Sequence, residues 1–151
     1  MAIFLRVFFI SFEFLIIIIS FGVYYFLEEY INIKLSQINF DQDMFKYLIM
    51  LPPAVFLWIF NKGNSFLQRD TENQKILVHW GGYTYMKTLF AVGFVYAVIS
   101  LFMCILSALT YKPSAEYIIT FVCGLLILMT VAVSFYFANG KIKDILAKYS
   151  N

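Results

Sequence analysis

Charge is what this chain has least of. Lys, Arg, Asp and Glu make up 13% of its 151 residues, roughly half the share of about 25% in an ordinary soluble domain. That shortage excludes a water-soluble globule. A net charge of only +2 excludes the basic footprint that nucleic acid requires. Cysteine occurs twice, at Cys104 and Cys123, both inside apolar runs. Two such residues make no disulfide framework, and nothing beside them completes a zinc site. They are expected to act as small buried hydrophobes. Histidine occurs once, at His79. A histidine catalyst needs a nucleophile and an orienting acid, and only Glu72, seven residues back, and the distant Glu13 are acids to consider. The chain also lacks a phosphate-cradling glycine loop, a zinc-protease motif and a nucleophile elbow. No enzyme activity, catalytic residue, metal or cofactor is expected.

What the chain has instead is apolar and aromatic mass. Hydrophobic residues reach 62%, with 18 Phe and 11 Tyr, a composition suited to a bilayer. The expected fold is an all-α integral membrane protein with four transmembrane helices and no soluble domain. A hydrocarbon core about 30 Å thick needs about 20 apolar residues in a helix. The spans are expected at about 3–27, 44–60, 87–109 and 117–137. The second is short and interrupted by Pro52-Pro53; these remove two backbone donors and predict a kink or hinge, and a re-entrant hairpin is the alternative. The first run ends in Tyr24-Tyr25-Phe26-Leu27-Glu28-Glu29 rather than a small-residue cleavage site, so it is expected to stay as an anchor.

Basic residues set the orientation. With four spans, Arg6, Lys62, Arg69, Lys75, Lys87, Lys141, Lys143 and Lys148 fall on one side, and Lys34, Lys46 and Lys112 on the other. The richer side is expected to be cytoplasmic and to hold both termini. The expected location is therefore the bacterial inner membrane, multi-pass.

Three features carry candidate function. Arg6, Glu13, Ser20 and Tyr24 share one helical face of the first span by spacing. An acid inside a span faces the bundle interior or water, and Arg6 lies about 10 Å along the axis from Glu13, too far to pair with it. Glu13 therefore needs a partner from another helix, another protomer or water, as a pore-lining or oligomer-fixing group or as a neutralised structural acid. On the third span Gly93, Ala97, Ser100, Cys104 and Ser107 form a ridge of small residues, suited to close packing against span four or against another protomer. The third feature is the loop 61–86. Thr71-Glu72-Asn73-Gln74 fits a capping box that starts a short amphipathic helix with Ile76, Leu77 and Trp80 on one face. The tail repeats the pattern in Ile142, Ile145, Leu146 and Tyr149. Arg69, Lys75, His79, Trp80, Lys141 and Lys143 thus form the expected surface for membrane lipids or a cytosolic protein partner.

Trp80-Gly81-Gly82-Tyr83-Thr84-Tyr85-Met86, followed by Val95-Tyr96-Ala97, together with the expected topology, resembles the small four-span inner-membrane proteins of bacterial phage defence, the RexB-like and Kiwa membrane-subunit-like proteins. The resemblance covers the topology and transfers no functional residue. It implies a homo-oligomer that senses infection at the membrane or depolarises it, with a cytosolic partner. An immunity protein against a pore-forming bacteriocin and an accessory subunit of a larger membrane complex are the other functions that suit a small four-span chain without catalytic residues.

Overall fold

The computed structural model describes residues 11–37, 42–67, 82–109 and 114–149, with side chains described at 11–37, 48–63, 82–109 and 114–147. Four helices carry them: α1 (Phe12–Gln37), α2 (Gln42–Leu67), α3 (Tyr83–Leu109) and α4 (Ala115–Tyr149). Among the described residues there is no strand. α1, α3 and the Ala115–Ala147 part of α4 are each long and apolar enough to cross a membrane, which is compatible with a multi-pass membrane protein. The apolar part of α2, Leu48–Gly63, is shorter; it covers about 24 Å against a hydrocarbon core of about 30 Å.

The helices run beyond the expected spans, because hydropathy reports where lipid ends and not where backbone bonding ends. α1 continues past Leu27 to Gln37, taking in Asn32 and Lys34 from the stretch expected to be loop. α2 is one helix through both Pro52 and Pro53, and the Pro52 ring is buried. α4 runs on to Tyr149, so the tail is a continuation of the last helix. Three residues of its apolar stripe meet protein: Ile142 is fully buried, and Ile145 and Leu146 pack on the same core. The capping box and short amphipathic helix at 71–80 lie outside the described residues.

α4 is the hub, touching each of the other three helices, while α2 also packs on α3. The core is built from Ile59 of α2, Phe90 and Tyr96 of α3, and Ile127, Leu128, Val131 and Phe135 of α4. Phe135 is a wedge. Its ring lies 4.5 Å, centre to centre and edge-on, from Phe90. It also faces two glycines, since a Cβ at Gly93 would meet it at 2.9 Å and one at Gly63 at 3.4 Å. Lys62, Lys87, Lys141 and Lys143 mark this end of the bundle, called the basic pole below.

α1 lies at the rim. Only Glu13 and Leu35 of this helix are buried; Phe14, Ile16 and Ile17 pack half-buried against the core, and many of its other large side chains point outward, Phe26 being 81% exposed. Two polar contacts hold it. Near its C-terminus the Asn32 side-chain oxygen accepts a bond from the Ala115 N–H at 2.8 Å. Ala115 opens α4, and its amide is one of the donors that a helix N-terminus leaves without an intrahelical acceptor. Ser114 stands where a capping hydroxyl belongs, yet its buried oxygen has no partner among the described residues; Asn32 caps α4 from a different helix. Asn32→Ala is expected to cost about 1 kcal/mol in thermal unfolding in mild detergent. Ser36→Ala removes only an exposed bond to Ile33 O within the same helix and is expected to change stability by less than ~0.5 kcal/mol. Equal effects from the two variants would remove the interhelical cap as a stabilising contact.

Candidate functional site

The second contact holding α1 is the candidate site. Ser11 opens the helix: its hydroxyl accepts from Phe14 N–H at 3.3 Å, and its carbonyl accepts from Leu15 N–H at 3.4 Å. A side-chain oxygen at this position satisfies an amide that would otherwise be orphaned. The Ser11 hydroxyl is also hydrogen-bonded to the Tyr96 phenol. Glu13 lies two residues further on, and its carboxyl is within electrostatic range of the same phenol. Glu13 is 8% exposed and Tyr96 only 1%.

Depth makes this cluster unusual. Tyr96 is the midpoint of α3, equally far from Tyr83 and Leu109, about 20 Å from either end. If α3 spans a bilayer, Ser11, Glu13 and Tyr96 meet near its middle, where ionisable groups are costly and face the bundle interior. Glu13 thus lies on the inner face of α1, turned toward Tyr96.

The other expected residues are placed as follows. Ser20 and Tyr24 are half-buried further along α1, and the Tyr24 phenol donates to the Glu28 carboxylate, with Glu116 of α4 close by. Arg6 lies outside the described residues. Gly93, Ala97, Ser100, Cys104 and Ser107 are all buried on α3. Gly124 of α4 sits directly on this ridge: a Cβ there would meet Cys104 Sγ at 2.7 Å and the Ser100 carbonyl oxygen at 3.0 Å. The Cys104 thiol donates to Phe121 O at 3.6 Å, and Ser107 back-bonds to Met103 O at 2.8 Å. Ser100 Oγ has no partner among the described residues. Cys104 and Cys123 are both reduced and buried. Pro52 is buried and Pro53 half-buried within α2. Lys141 and Lys143 are exposed on α4. Arg69, Lys75, His79 and Trp80 lie outside the described residues.

Ser11 and Tyr96, the two hydroxyls that meet beside Glu13, carried no mark in the sequence as its partners. Tyr96 could have been suspected as a phenol in the centre of an otherwise apolar helix, since a buried Tyr O–H needs a hydrogen-bond partner. Asn32 and Lys62, which contact or face other helices, had no local signal. Among the described residues no group of three His, Cys, Asp or Glu could hold a metal ion. In comparisons with known proteins, no family model, no curated protein and no solved structure matches this chain.

Proposed function

We propose that this chain is a non-enzymatic, homo-oligomeric sensor or ion-channel-like component of a bacterial phage-defence system, acting in the inner membrane with a cytosolic partner. In this reading α2 is a fourth span despite its short apolar part, and the basic pole and both termini are cytoplasmic. The observation that carries it is the carboxyl of Glu13 buried beside Tyr96 at the mid-height of α3. A membrane protein whose task is only to fill lipid has no need of an acid there, and such residues mark ion paths, proton relays or switches. The outward apolar face of α1, from Phe12 to Phe26, supplies a surface for a second copy. The loop 61–86 and the tail are where the cytosolic partner docks. Defence as the setting is supported by the resemblance in topology and tyrosine pattern alone.

The test is made in cells. Interhelical polar contacts in membranes contribute up to about 1.7 kcal/mol and about 0.6 on average, so breaking one shifts a two-state equilibrium by about 3–20-fold. Glu13→Gln and Tyr96→Phe are each expected to leave the protein in the membrane and to change phage protection, or the membrane depolarisation that accompanies infection, by a factor in that range. Protection and potential that are identical in both variants and the wild type would end the sensor and channel versions together.

A further inference from the structure

At the basic pole the C-terminal parts of α2 and α4 border an open pocket of about 510 Å³, within the range of about 300–1,000 Å³ usual for small-molecule sites. Trp58 and Lys62 of α2 form one wall, and Tyr136, Lys141, Lys143 and Asp144 of α4 form the other. Lys62 Nζ stands 5.9 Å from the centre of the Trp58 ring, a cation–π distance that holds the ammonium beside the pocket. At Gly140, which also lines the pocket, a Cβ would meet nothing within 4 Å, so the wall there is low and the pocket stays open.

Three features together select the ligand. Three lysines and one aspartate line the pocket, so its lining carries a surplus of two positive charges and attracts an anion. Trp58 and Tyr136, both exposed, give it flat amphipathic sides of the kind that sit at the headgroup level of a bilayer. The pocket is open and lies between helices at the end of the apolar segments, where basic inter-helix pockets take anionic headgroups.

We propose that this pocket binds the headgroup of an anionic phospholipid. Lys62, Lys141 and Lys143 hold phosphodiester oxygens, and Trp58 and Tyr136 lie against the glycerol backbone. The surplus of two charges fits a lipid with two phosphodiesters better than a lipid with one. This site requires that the chain span a membrane, and it is independent of what Glu13 does.

The full chain, purified in mild detergent, is titrated by native mass spectrometry with cardiolipin, phosphatidylglycerol, phosphatidylcholine and inorganic phosphate. Cardiolipin is expected to bind tightest and phosphatidylcholine weakest. Each of Lys62→Gln, Lys141→Gln and Lys143→Gln is expected to weaken cardiolipin by about fivefold. Gly140→Leu keeps every charge and fills the pocket, and it too is expected to reduce binding, which decides the matter if a lysine variant fails to fold. Cardiolipin binding no tighter than phosphatidylcholine, or unchanged in both the triple lysine variant and Gly140→Leu, overturns the site. Displacement of cardiolipin by millimolar inorganic phosphate reassigns the pocket to a soluble anion and overturns the lipid assignment. Equal affinity for phosphatidylglycerol overturns the match to two phosphates. Alkaline extraction of native membranes tests the spanning itself, so a soluble chain and an empty pocket are told apart.

Discussion

Replacing Phe135 with alanine should loosen the basic pole and lower stability by about 2–3 kcal/mol. Buried Phe→Ala changes cost about 3–5 kcal/mol in water-soluble cores, the sum of a transfer part and a cavity part. Lipid tails are as apolar as the core, so most of the transfer part falls away in a membrane, while the cavity remains. It remains in full here because the ring lies against three residues on two neighbouring helices: Gly63 on α2, and Gly93 and Phe90 on α3. Glycine has no side chain that could swing into the space. The measurement is reversible unfolding in mild detergent or bilayer discs, and a loss below ~0.5 kcal/mol would show that the helices simply close over the gap. A second substitution sharpens the test. Gly93→Ala places a Cβ 2.9 Å from the Phe135 ring and should be destabilising alone. In the Phe135→Ala background that clash is gone, so the same change should become nearly neutral, a coupling of about 0.5–3 kcal/mol.

Gly124→Leu should keep α3 and α4 from closing. Even the first carbon of a side chain there meets Cys104 Sγ at 2.7 Å and the Ser100 carbonyl at 3.0 Å. A sulfur can rotate away, at the loss of its weak bond to Phe121 O, but a backbone carbonyl inside a helix cannot. Gly124→Ala is therefore expected to cost about 1–3 kcal/mol, the usual range for overpacking, and Gly124→Leu to exceed it and lower the yield of folded protein. Cys104→Ala should rescue Gly124→Ala in part, through the sulfur contact, and never fully, because the Ser100 contact persists. Full rescue, or no loss at all in Gly124→Ala, would mean that the seam is looser than these distances require.

Apolar runs and residue spacing made much of the scaffold legible. The runs at 87–109 and 117–137 lie within α3 and α4, because about 20 consecutive apolar residues leave the backbone no better option than a helix. Gly93, Ala97, Ser100, Cys104 and Ser107 of α3 are spaced at helical period, and all five are buried there, beside Met86, Phe90, Val92 and Tyr96, since period places the five on one face. The limits of the helices were not legible. Asn32, Lys34 and Lys141 break an apolar run without breaking a helix, because the backbone bonds stay inside wherever the side chains turn, that of Asn32 to α4. α2 carries too few apolar residues for hydropathy to decide its fate. The partners of Glu13 were also hidden. That acid stood out in the sequence because charge is costly in a span, but Tyr96 lies on another helix, and no spacing rule links positions so far apart. The same holds for Asn32 and Ala115, and for Lys62, which meets Lys141 and Lys143 only once α2 and α4 pack.

The two polar contacts that tie α1 to the other helices also set a timetable for biosynthesis. Asn32 and Ala115 are 83 residues apart, and Ser11 and Tyr96, hydrogen-bonded in the folded chain, are separated by a similar stretch. A ribosome adding about 5–20 residues per second delivers each partner roughly 4–17 s after the residue that awaits it. If α1 spans a membrane, it waits during that interval with the Ser11 hydroxyl and the Asn32 side chain short of the partners they have in the folded chain. The insertion machinery, a neighbouring copy or the aqueous side must accommodate them until α3 and α4 arrive. The emerging chain is therefore at its most fragile after α1 leaves the ribosome and before α4 does, and truncations that stop between Gln37 and Ala115 should be the forms that cells degrade fastest.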